Sequence, residues 1–208
     1  MATSHAMKNE AQEVLDFWFG PPEDPGHGQS RPAWFRKDPA FDALIQQRFG
    51  ALVQQALDGG LASWSDADVS PDPRTALALI LVLDQFTRNV ARAAGQVPAA
   101  AFAGDRQALA LARSLVDSGR HLNLNGVQRQ FAYLPFEHAE DMTMQRESVA
   151  LFGQLANDEP TLADLQMWAQ RHFDIVQRFG RFPHRNAALG RASTPEEAAF
   201  LQTPGSGF

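Results

Sequence analysis

The segment Asp72 to Phe86, DPRTALALILVLDQF, constrains this chain most. Asp72-Pro73 is a helix start, an N-cap followed by proline at the first helical position, and the helix it opens is apolar on nearly every side. A helix without a polar face is stable in water only when other elements surround it, so the rest of the chain must wrap around this one. Its apolar run, Ala76 to Leu83, is far shorter than the roughly 20 residues that span a bilayer, so a buried core helix is expected and no membrane partner. With 208 residues, 44% of them hydrophobic, the chain is long enough to bury a sizeable core, and residues 1–208 are read as one domain with residues 1–9 as a flexible tail.

The surrounding elements also read as helices. Glu10 to Phe19 forms one, stopped by Gly20-Pro21-Pro22. Asp38-Pro39 opens an amphipathic helix in which Phe41, Leu44, Ile45, Phe49, Leu52, Val53, Ala56 and Leu57 recur at the 3.6-residue period up to Gly59-Gly60. Further helices are predicted from Ala101 to Ser118, with Gly119 as the break, and from an Asn125 cap through Tyr133. Pro135 permits a fresh start or a kink, after which Phe136 to Ala156 reads as one long helix. Another runs from Pro160 to Phe179, with Leu165, Trp168, Ala169 and His172 on its inner stripe and Gly180 behind it. Thr194-Pro195-Glu196-Glu197 combines an N-cap, a first-turn proline and a capping-box glutamate, and so announces a short last helix. No segment shows convincing two-residue alternation, which makes the fold class all-α with roughly eight helices.

Composition removes several functions. A net charge of -6 disfavours nucleic-acid binding, which needs a basic surface, and the absence of cysteine removes thiolate nucleophiles and cysteine-based metal sites. No cofactor is called, and neither a glycine-rich phosphate loop nor a serine nucleophile elbow occurs. The N-terminus lacks the pattern of a signal peptide, so the expected location is cytoplasmic.

Three segments concentrate polar side chains beside aromatics: LDQFTRN (Leu83 to Asn89), YLPFEHAED (Tyr133 to Asp141) and RFGRFPHRNAALGR (Arg178 to Arg191). With VLDFWFG near the N-terminus and STPEE near the C-terminus, these strings resemble the bacterial family catalogued as domain of unknown function nine-two-four. The resemblance covers Val14 to Phe208, and Thr87 stands where the family pattern has proline. It implies a tetratricopeptide-like bundle of antiparallel helical hairpins and no established activity, so function must be argued from the site.

On one helix, Glu137 and Asp141 would share a face, as would His138 and Asp141. Three carboxylates within five residues need cations, and the segment from Arg178 to Arg191 supplies four arginines and no acid. One reading is structural: Glu137, Glu140 and Asp141 pair with Arg88, Arg178, Arg181 or Arg185 and dock the C-terminal segment. A second is a pocket for a small anionic ligand or a peptide carboxylate, lined by Asp84, Arg88, Asn89, Tyr133, Glu137, His138, Asp141, Arg178, Arg181, His184 and Arg185. A third makes Glu137, His138 and Asp141 catalytic, in metal-free acid-base hydrolysis or with His172 and His184 around a metal. Asn89 alone suggests a helix C-cap. Trp34-Phe35 reads as a loop folded onto the bundle, or as an apolar patch for a protein partner.

Overall fold

The computed structural model describes residues 2–95 and 98–206, with side chains described from residue 9 onward. Among the described residues there is no strand, and the fold is all-α. The described residues form nine α-helical segments: α1 (Ala2–Phe19), α2 (Pro39–Leu57), α3 (Pro73–Leu81), α4 (Thr87–Ala93), α5 (Asp105–Asp117), α6 (Gly126–Glu137), α7 (Met142–Asp158), α8 (Asp164–Phe179) and α9 (Pro195–Leu201). A π-helical stretch, Val82–Phe86, joins α3 to α4 in one unbroken rod, so the segments make eight rods. No helix is long and apolar enough to cross a membrane among the described residues.

The rod is the centre, as its composition requires. Every residue from Thr75 to Asp84 is buried, and the Asp72 carboxylate caps the helix by accepting from the Arg74 amide at 2.9 Å. The helix α1 packs along α3 through Ala11, Val14, Leu15 and Trp18, while α2 packs along α4. Helical backbone in α1 begins at Ala2, where the sequence suggested a tail. Trp34 lies back on α1, stacked on Trp18 and donating its indole N–H to the Trp18 carbonyl at 3.1 Å, while Phe35 remains exposed. On the far side α5, α6, α7 and α8 follow in sequence, each packed on the next or on the rod. A second, smaller apolar cluster, Ile175, Val176 and Phe182 with Met142, Phe179 and Phe200, fastens the segment after α8.

Several boundaries depart from the sequence reading. Pro135 sits inside α6 without ending it, and the break comes at residues 138–141 instead. Asp141 is the reason: its carboxylate accepts from the amides of Thr143 and Met144 and caps α7. Gln145 completes the turn, donating to the carbonyls of Glu137 at 2.8 Å and Ala139 at 2.7 Å, which the end of α6 leaves without helical partners. In α2, Leu44 faces solvent and the acid Asp42 is buried, because Asn89 and Arg92 of α4 donate to its carboxylate at 2.7–2.8 Å. Asn89 is therefore a clamp between α2 and α4, and the rod continues past it to Ala93. The helix predicted from Ala101 starts at Asp105, after a 3-10 turn at Pro98–Phe102. In α8, Trp168 is exposed while Ala169 and His172 form the inner stripe. Gly119, Gly180 and the Thr194 capping box stand where they were predicted.

Candidate functional site

The site begins at the π-helical stretch. The wider turn gives the Val82 carbonyl two donors from Thr87, its backbone amide and its hydroxyl at 3.1 Å. Such one-turn π bulges change which residues face inward, and here Asp84 is left only 1% exposed. A buried carboxylate needs compensation. His138 Nδ1 donates to Asp84 Oδ1 at 2.7 Å, Gln85 donates to Oδ2 at 2.5 Å, and Arg88 Nη1 donates to the Asp84 backbone carbonyl and lies 3.3 Å from Oδ1. Burial alone would raise the Asp84 carboxyl, but the positive charge of His138 and Arg88 and the two side-chain hydrogen bonds hold it well below the usual range.

The other arm of Arg88 reaches Asp105 in the first turn of α5, with Nη2 2.8 Å from Oδ1. That pair is close but not aligned as a hydrogen bond, since neither atom has a hydrogen-bond partner. Asp105 Oδ2 accepts from Arg185 Nη1 at 3.3 Å. Gly104 allows this approach, because any Cβ there would run into the backbone of Leu83. The Arg185 guanidinium lies 4.7 Å from the ring centres of both Phe102 and Phe182. Its Nε is buried and has no hydrogen-bond partner among the described residues.

Beneath His138 a second carboxyl–imidazole pair is almost dry. His172 Nδ1 lies 2.9 Å from the Trp168 carbonyl and 3.1 Å from Glu137 Oε1. A carbonyl only accepts, so Nδ1 carries the hydrogen and Nε2 holds the lone pair. Burial, helped by the negative Asp84, pushes Glu137 up to about 8, and burial pushes His172 down to about 3. Both members are therefore neutral at pH 7. Burial and the charge of Arg185 similarly lower His184 to about 4. The rings of His138 and His172 are 6.4 Å apart.

The three polar segments thus meet, but only in part. Asp84, Arg88, Glu137, His138, His184 and Arg185 come together, and His172 joins them. Asp141 lies apart as the α7 cap, and the break before it removes the shared face assumed for Glu137, His138 and Asp141. Tyr133 belongs to another cluster, accepting from Arg129 Nε at 2.9 Å. Arg178 and Arg181 pair with Glu196 and Glu197 of α9 rather than with residues 137–141. Arg191 supplies the cation for Glu140, in a two-pronged pair at 2.6 and 2.8 Å, and the Phe182 amide donates to the same carboxylate at 2.7 Å. Asp105, Phe102 and Phe182 are the residues sequence reasoning missed. Among the described residues no three His, Asp or Glu side chains are grouped to hold a metal ion, so the metal branch of the catalytic reading finds no ligand set.

Side-chain exposures of 17% for His138, 16% for Arg88 and 20% for Asp105 make the site a ledge over a buried floor. Two shallow grooves, of about 490 and 530 Å³, lie elsewhere, one beside Glu13 and Arg48 and the other beside Asp72 and Asn125. Neither is lined by any of these residues, and the buried polar chemistry argues for the ledge.

Comparison with known proteins agrees with this architecture. The family described as bacterial protein of unknown function, DUF924, matches residues 14–205. The chain belongs to the DUF924 family. A solved structure similar to this DUF924 chain is that of a protein of unknown function, ATU0120, from Agrobacterium tumefaciens, with 35% sequence identity over 94% of this chain and 98% of that one, at a TM-score of 0.76. No curated protein matches the DUF924 chain.

Proposed function

We propose that this protein binds a small organic anion, a carboxylate or a phosphate, on the ledge formed by Arg88, His138 and Arg185. The observation that supports it best is Arg185. Burying a guanidinium costs free energy that hydrogen bonds must offset, yet its Nε has no such partner. The surrounding arginines of the C-terminal segment are matched: Arg181 by Glu197 and Arg191 by Glu140. They read as fasteners, so the ligand reading rests on a narrower set than the sequence suggested. The pairings of α6 with α7 and α7 with α8 are read as tetratricopeptide-like hairpins that hold the ledge from below.

Isothermal titration with succinate and with inorganic phosphate tests this. One of the two should bind the wild type and raise its melting temperature, with stabilisation of about 2.7 kcal/mol at a hundredfold excess over Kd. Arg185→Met, which keeps the apolar stem between the rings, should weaken binding by about tenfold or more, the loss of a charge-assisted contact. Binding of neither anion overturns the proposal.

A further inference from the structure

We infer that His138, oriented by Asp84, is the general base of a hydrolytic reaction, and that its substrate is a carboxylic ester carrying a second, anionic group. The inference rests on the anion-binding reading and adds chemistry to it. An ionised carboxylate only accepts hydrogen bonds, so the 2.7 Å contact from His138 Nδ1 to Asp84 Oδ1 fixes a hydrogen on Nδ1 and makes Nε2 the nitrogen that takes up or gives back a proton. A buried carboxylate on one nitrogen of a partly exposed imidazole is the arrangement by which the ring is held ready to take a proton. A structural ion pair needs no such partial exposure. Here Asp84 is sealed while His138 reaches the ledge beside the anion-binding arginines.

The steps balance without any oxidant or metal. The anionic group of the substrate pairs with Arg185 and Arg88. His138 Nε2 takes a proton from a water molecule as the water oxygen bonds to the ester carbonyl carbon, and the carbonyl electron pair moves onto its oxygen. When that pair returns, the bond to the alcohol oxygen breaks, and the departing oxygen recovers the proton from His138. The net reaction is ester plus water to carboxylic acid plus alcohol, the acid losing its proton to solvent near neutral pH.

Charged and titratable groups from several elements surround His138. They are Asp84 and Arg88 on the rod, Asp105 on α5, Glu137 at the end of α6, His172 on α8, and His184 and Arg185 beyond α8. Burial lowers His172 to about 3 and His184 to about 4, so both are neutral over the pH range in which the rate is followed. Glu137 would enter only near pH 8.

The test follows hydrolysis of para-nitrophenyl hemisuccinate by the wild type, His138→Gln and Asp84→Asn, with succinate titrations in parallel. Wild type should turn the ester over at a rate above the uncatalysed background. His138→Gln should lose about 100-fold or more in kcat, far more than it loses in succinate affinity. Asp84→Asn should also lose kcat, because no carboxylate then orients the imidazole. Thermal melts show whether each variant is folded. Succinate binding without turnover above the His138→Gln level overturns the catalytic inference and leaves the binding site standing. Failure of succinate and of phosphate to bind removes the foundation of both.

Discussion

Glu137 shows how far a fold can move one carboxyl. Its folded pKa of about 8 lies above the ordinary 4.5, so between these values the folded state holds a proton that the unfolded state has released. Stability from this group is therefore full below about pH 4.5 and is lost as pH rises through about 8, a change on the order of a few kcal/mol. His172 acts oppositely, because its folded value of about 3 lies below 6.5: the unfolded state binds the extra proton, and stability grows as pH rises through that window. Glu137→Gln, which mimics the protonated acid, should abolish the decline above pH 6.5 and leave the rise below it. Urea midpoints at pH 5, 6.5 and 9 would show a wild type weaker at pH 9 than at 6.5 and a variant that is level between them. Of these residues the sequence disclosed Glu137 and His138 through the density of FEHAED, and Arg185 through the cationic run. It could not disclose Asp105, since an acid in the first turn of a helix already has a sufficient local reason in the helix dipole.

Among the elements, the rod and the short loops decide the site. Their existence was legible because capping and periodicity are local: Asp38, Asp72, Asn125 and Thr194 all accept hydrogen bonds as N-caps. The turn at residues 138–141 was not, because Pro135 offered a stronger local signal than the Asp141 cap and Gln145 acts on it from the next helix. The π-helical stretch was equally hidden, as a widened turn leaves no mark in hydrophobic spacing. Gly104 is where α5 meets the rod, and Gly104→Ala should destabilise the protein by about 1–3 kcal/mol, since the added methyl meets backbone that cannot rotate away. The same variant should weaken succinate binding, because Asp105 and its hold on Arg88 move with the start of α5. An unchanged melting temperature would show that α5 can retreat without cost.

At the scale of the whole molecule, the ledge is assembled from residues far apart in the chain. Arg185 pairs with Asp105 across 80 residues and Arg191 with Glu140 across 51. Segments this distant share no local signal, which is why the all-α class was legible from periodicity and the partners of Arg178, Arg181 and Arg191 were not. A chain ending at Phe179 would lose Phe182, Arg185 and Arg191 together, leaving Glu140 and Asp105 without these cations and uncovering the apolar cluster on α8. It should bind the dye ANS and melt with reduced cooperativity, whereas a sharp, dye-free melt would show the last segment to be dispensable. The order of synthesis gives this arrangement a further meaning. A ribosome delivers Asp105 and Glu140 before Arg185 and Arg191, so helices that can pair early must wait with these two acids short of a cation until the last segment emerges. The ledge is finished late, and a protein interrupted just before Arg185 would carry nearly all of its helices and only Arg88 of the two arginines that form the ledge.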